Sequence, residues 1–145
     1  EYEISPKLLE IEITESALIE DINSVIDNLR TLSSHGVYIA LDDYGMGFST
    51  LNNIRTLPIH ILKIDRSFIR EIRNTYSDSP IVHSTITLAK NLGLIVIAEG
   101  VETHEQVVNL RVAGCDQVQG YYFSRPVDKE KICEFLTSPI RSFLV

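Results

Sequence analysis

Short runs rich in Ile, Val and Leu recur five times along the 145 residues, and a helical segment follows each of them. The runs are LLEIEIT (8–14), VYIALDD (37–43), HILKID (60–65), LIVIAEG (94–100) and a shorter strand within DQVQGYYF (116–123). Such runs fit parallel strands buried on both faces. Residues 17–34 place Leu18, Ile22, Val25, Ile26 and Leu29 at helical spacing, and Gly36 follows as a stop. A short helix is expected from Ser49 to about Arg55, ended by Pro58. Residues 78–92 read as a helix with Asp78 or Ser79 as cap and Pro80 in the first turn. Another runs from about Thr103 to Ala113 and stops at Gly114. A last helix starts near Asp128. Strand and helix in alternation make an α/β protein. A doubly wound sheet and a (β/α)₈ barrel both remain open. The absence of GxGxxG after the first strand weakens the dinucleotide-binding version.

Each strand carries its polar residues at its C-terminal end. The first has Glu12, the second Asp42 and Asp43, the third Lys63 and Asp65. The fourth has Glu99 with Glu102 just beyond, and the fifth offers Gln119. In a barrel those ends converge on one mouth, where active sites sit. A ring of carboxylates raises its own pKa values and resists ionising together. Divalent cations remove that repulsion, and Mg²⁺ prefers oxygen ligands. Two such ions about 3.5–4 Å apart, bridged by one carboxylate, hydrolyse phosphate esters. Strict alternation would send Asp42 and Asp43 to opposite faces. The strand is therefore expected to end or bulge there, which Gly45 eases. A single acid at a strand end is more often a helix cap or a solvated loop residue; repetition at four consecutive strands shifts the weight. His35, His60, His83 and His104 share no ligand spacing and read as surface residues. Glu10 lies on the same face as Glu12, and nothing in the sequence accounts for it.

The composition narrows the partners. With 44% hydrophobic residues the chain suffices for one globular domain, placed here at 1–145. A net charge of −7 argues against DNA, RNA or an anionic membrane surface as the main partner. It leaves room for a phosphate ligand, because a bound cation reverses the local sign. Cys115 and Cys133 read as reduced thiols. No apolar run approaches the roughly 20 residues of a membrane span, and no signal peptide opens the chain, so the segment reads as cytoplasmic.

The stretches LEIEITES, LDDYGMGFSTL, LKIDRSFI, IAEGVET and QGYYFSRP, in this order and at these spacings, resemble the EAL domain family. The resemblance implies a (β/α)₈ TIM-barrel-like fold with one antiparallel strand. It implies hydrolysis of cyclic di-GMP, a bacterial second messenger, to linear pGpG with two Mg²⁺ or Mn²⁺ ions, and inhibition by Ca²⁺. It assigns Glu12, Asp42, Asp43 and Glu99 to metal binding, with Asp42 bridging the two ions. Lys63 matches the lysine beside the nucleophilic water, and Glu99 serves as metal ligand or general base. Glu102 and Gln119 position substrate and water; Asp65, at the same strand end as Lys63, is grouped with them. Glu15 matches the glutamate that anchors the loop after the aspartate pair. Met46 stands where threonine is commoner, and Tyr44 where phenylalanine is.

The Glu-Ala-Leu triplet that names the family is absent, and ESAL at 15–18 is a different stretch. The family's asparagine ligand is missing too. The resemblance therefore covers the C-terminal part of the domain, about five of the eight strand–helix units of such a barrel. The expectation is a phosphodiesterase in the complete domain, as a homodimer joined to GGDEF-type or sensory domains. These 145 residues alone are expected to be inactive and to associate through open sheet edges. The alternatives are a catalytically silent cyclic di-GMP receptor and a protein-interaction module.

Overall fold

The computed structural model describes residues 3–18, 22–45, 51–73 and 79–137. Five parallel strands form one sheet: β1 (Glu10–Thr14), β2 (Tyr38–Tyr44), β3 (Ile61–Ile64), β4 (Ile95–Glu99) and β5 (Gln117–Gln119). The connecting helices are α1 (Ile22–Ser34), α2 (Leu51–Thr56), α3 (Arg66–Ile69), α4 (Pro80–Asn91) and α5 (His104–Val112); α6 (Lys129–Thr137) follows β5. The strands lie in sequence order from β1 to β5. That order never reverses, whereas a doubly wound sheet reverses at its switch point. The sheet is part of a TIM-barrel-like wall, and the choice left open by the sequence falls to the barrel.

The helices cover one face. Ile39, Leu41, Leu62, Ile64, Val96 and Ala98 point into it and pack with Leu29, Ile54, Ile86 and Leu110. Each such Leu or Ile, fully buried, contributes roughly 1.5–3 kcal/mol. On the opposite face the buried hydrophobic residues, among those described, are Ala40, Ile61 and Ile97, a second small cluster. Alternation along β1 turns Ile11 and Ile13 toward the main core and leaves Glu10 and Glu12 on the other side. Among the described residues β1 and β5 form the two edges of the sheet.

Several boundaries differ from the sequence reading. β1 starts at Glu10 because Pro6–Leu8 form a 3₁₀ turn. Glu15–Leu18 is a second 3₁₀ turn rather than the start of α1. Helix α3 was not expected; it exists because Asp65 Oδ1 accepts the Ser67 N–H at 2.8 Å and caps it. Ser79 occupies the cap position of α4 but makes no side-chain cap bond. Helix α5 opens on a capping box between Thr103 and Gln106, and Gln106 Nε2 also donates to the Ile69 carbonyl at 3.1 Å. The surface reading holds for His35 and His104 but fails for His60 and His83, which are half-buried. His60 Nδ1 accepts the Ile39 N–H at 3.1 Å, so this ring ties the start of β3 to β2. Both cysteines are free, and burial pushes the Cys115 thiol up to about 11. No described helix is long and apolar enough to cross a membrane.

Asp116 fastens β5 to its neighbour. Its Oδ2 accepts the Val96 N–H at 2.8 Å, and its Oδ1 takes Lys90 Nζ at 2.5 Å. Burial pushes this carboxyl up, but the bonds from Lys90 and Val96 outweigh it and hold the group below the usual aspartate range. Its stabilising contribution is therefore fully present above about pH 3.9 and is lost as pH falls through the lower folded value. Asp116→Asn should lower stability by about 1 kcal/mol near neutral pH. Thermal denaturation should show the gap to wild type narrowing in acid; a constant gap would contradict the assignment.

Candidate functional site

The strands bring their terminal polar residues to one end of the polar face. Lys63 on β3 is 5% exposed and gathers three of them. Its Nζ donates to Glu12 Oε1 at 2.5 Å and to Glu99 Oε1 at 2.7 Å, and lies 3.4 Å from Asp42 Oδ1. Burial pushes the Lys63 ammonium down, yet the hydrogen bonds to Glu12 and Glu99 and the nearby charges outweigh it, so the net shift is upward. Three acids far apart in sequence thus surround one ammonium. The oxygens of Glu12 and Asp42 both approach that nitrogen, which leaves them near enough to serve a single cation.

The expected bulge is present. The β2–β3 register shifts between Leu41 and Tyr44, and Asp43 takes φ 55°. Left-handed backbone at a non-glycine residue is uncommon, and aspartate is among the side chains that tolerate it. The bulge breaks the alternation that would separate the adjacent aspartates: Asp42 Oδ1 lies 3.4 Å from Lys63 Nζ and accepts the Asp43 N–H at 3.0 Å. Burial raises the Asp43 carboxyl above its ordinary value, the charges of Asp42 and Asp65 add to this, and Lys63 and Arg66 oppose it. Gly45 follows with φ 110°, and a Cβ there would run into the Phe68 ring.

The other candidates separate into groups. Glu102 and Gln119 line an open cleft of about 510 Å³ together with Glu99. Gln119 is the β5 partner of Glu99, and its carbonyl accepts the Val101 N–H at 3.0 Å. Gly120 is required beside it, because a Cβ would strike the Val101 backbone. Asp65 stands at the strand end as the cap of α3. Glu15 is buried beside β2; burial raises the Tyr44 phenol, and the Glu15 charge adds to that. The loop that Glu15 is expected to anchor falls on residues 46–50, outside the described residues.

Sequence reasoning missed the cations of the cleft. Arg66, Arg70 and Arg125 line it with Tyr121. Arg70 reaches Glu102 at 3.9 Å, and the Arg125 guanidinium lies 4.7 Å from the centre of the Tyr121 ring. The signal lies in DRSFIR and YYFSRP, where basic residues stand in the turns that follow the strand ends.

Glu12, Asp42, Asp43 and Glu99 offer only carboxylate oxygens, the donor type that Mg²⁺ or Mn²⁺ takes. Among the described residues no three acids, histidines or cysteines are grouped for one ion; the carboxylates close on Lys63 instead. The donor chemistry fits such ions, and the acids would have to turn from the ammonium to hold them.

A barrel-type α/β domain with its polar cluster at the C-terminal mouth is the class that fold and site define. The EAL domain family model matches residues 1–126, and the chain belongs to that family. It is 45% identical over 128 residues to the cyclic di-GMP phosphodiesterase NbdA of Pseudomonas aeruginosa, an alignment covering 88% of this chain and 16% of that protein. The structure of PaMucR phosphodiesterase in complex with c-di-GMP matches with a TM-score of 0.81 and 38% identity, over 89% of this chain and 52% of that one. The manganese and cyclic di-GMP complex of Klebsiella pneumoniae BlrP1 matches with a TM-score of 0.75 and 32% identity, over 85% and 31%. The chain spans between 16% and 20% of the length of its curated relatives.

Proposed function

We propose that this chain is the C-terminal portion of a single EAL domain that hydrolyses cyclic di-GMP to linear pGpG. The observation that carries the reading is the convergence of Glu12, Asp42 and Glu99 on Lys63 at the C-terminal ends of parallel strands. The nucleotide complexes of two related structures support the ligand. Glu12, Asp42, Asp43 and Glu99 would hold two divalent cations, Mg²⁺ or Mn²⁺. Such ions neutralise the carboxylates, activate water and stabilise charge on phosphoryl oxygens.

The chain's own groups do the rest. Lys63 keeps a positive charge next to the attacking water, where it stabilises charge that develops during attack. Glu99 takes the proton from that water. A phosphorus–oxygen bond forms to the water, the bond to one ribose 3′ oxygen breaks, and that oxygen takes a proton from solvent while Glu99 returns the water's proton to solvent, so one water is consumed in all. Glu102 and Gln119 hold substrate and water in line from the cleft wall.

The test is turnover by the full-length protein with Mg²⁺ or Mn²⁺, with pGpG measured directly. Formation of pGpG that stops on chelation is expected. Binding of cyclic di-GMP without turnover would assign a receptor, and neither binding nor turnover would leave an interaction module.

A further inference from the structure

The cleft beside Glu99 contains three arginines in a chain of net charge −7, and two are already engaged. Arg70 faces Glu102, and Arg125 lies over Tyr121. Arg66 differs: among the described residues it makes no ion pair. Its placement is nevertheless determined. It is the first residue after the Asp65 cap, so the cap sets the direction of its backbone. Its Cβ lies directly against Gly100, which adopts φ 69°, and a side chain at that glycine would occupy the same space. Glycine thus serves two needs at once here, a left-handed turn after Glu99 and room for the arginine stem. The result is an exposed guanidinium beside the carboxylate cluster that acts through space on Asp43 and Asp65 but, among the described residues, forms a salt bridge with neither.

We propose that Arg66 is a substrate-contacting residue that binds a phosphate oxygen of the cyclic dinucleotide. A guanidinium presents planar paired donors that match phosphate oxygens. The substrate carries two phosphodiesters, and the mechanism above accounts for the contacts of only the one being cleaved. Arg66 holds the other in the cleft. The inference rests on the cyclic di-GMP reading, and a phosphate contact differs in its signature from a base contact. Loss of a phosphate contact weakens related ligands uniformly, whereas loss of a base-edge contact relaxes discrimination among bases.

The experiment is a binding titration of the full-length protein with cyclic di-GMP and with cyclic di-AMP, alongside steady-state turnover. Arg66→Ala should raise Kd for cyclic di-GMP by about tenfold or more, the usual scale for a charge-assisted hydrogen bond. It should weaken cyclic di-AMP by the same factor and raise KM more than it lowers kcat. Arg66→Lys should recover part of the loss, since it keeps the charge but not the paired donors. The apo melting temperature should barely move, because the guanidinium is exposed and forms no salt bridge among the described residues. An unchanged Kd in Arg66→Ala would overturn the assignment. So would a loss confined to cyclic di-GMP, which would indicate a guanine contact. If wild type binds without turnover, the phosphodiesterase reading fails while the Arg66 comparison still decides; if it binds neither ligand, both fall.

Discussion

Glu99→Gln in the full-length protein is expected to lower cyclic di-GMP turnover by about a hundredfold or more, the contribution typical of a positioned acid or base. The amide is isosteric with the carboxyl group, and its oxygen can still accept from Lys63 Nζ, now 2.7 Å from Glu99. Packing therefore survives the change. What disappears is the negative charge and the ability to take a proton. Both proposed roles, cation ligand and general base, depend on those two properties. Nucleotide binding should fall much less than kcat, since Glu102, Gln119 and the arginines of the cleft remain. Rates of pGpG formation and Kd from a titration separate the two effects. Near wild-type pGpG formation would show that Glu99 is not at the centre of the chemistry.

The place of Glu99 was legible because the residue ends a strand whose position is dictated by its own apolar run; the roles proposed for it come from the family resemblance alone. The same holds for Glu12 and Asp42: period-2 alternation sets the face, and parallel strands set the end. The Asp42–Asp43 pair went further, since two adjacent acids on one face demanded the bulge that β2 contains. Other features depend on contacts across the sheet. Nothing local says that Lys63, rather than an empty space, stands among the three acids; that follows from the β1–β2–β3–β4 register. Helix α3 has four residues and depends on one cap, far too short for a periodic pattern. His60 was read as a surface ring because its partner, the Ile39 N–H, lies 21 residues away. Arg66 was overlooked for a similar reason, since its seat on Gly100 joins two segments that the sequence separates.

Lys63→Met should destabilise the folded domain and do so in a pH-dependent way. Methionine keeps an unbranched stem of similar length, so the change removes chiefly the charge. Three carboxylates, 49%, 19% and 20% exposed for Glu12, Asp42 and Glu99, would then face one another without a cation. Removing one partner of a buried ion pair strands the others. We expect a loss of about 2 kcal/mol near neutral pH, below the figure for fully buried pairs because Glu12 is half solvated. The sign with pH follows from linkage. In wild type the Lys63 ammonium is raised by its partners, so its contribution is complete below its unfolded value and disappears only in strong base. In the variant the three carboxylates repel one another with no cation between them, and acid that neutralises them relieves the repulsion. The gap to wild type must then close as pH falls into the acid range. Mg²⁺ or Mn²⁺ should close part of the same gap at neutral pH, since a cation held by these acids replaces the missing charge. Denaturant unfolding at neutral and acid pH, with and without Mn²⁺, measures all of this without reference to turnover. A gap that widens in acid would mean that Lys63 does not hold the three acids together. Indifference to the cation would mean that those acids do not form its site.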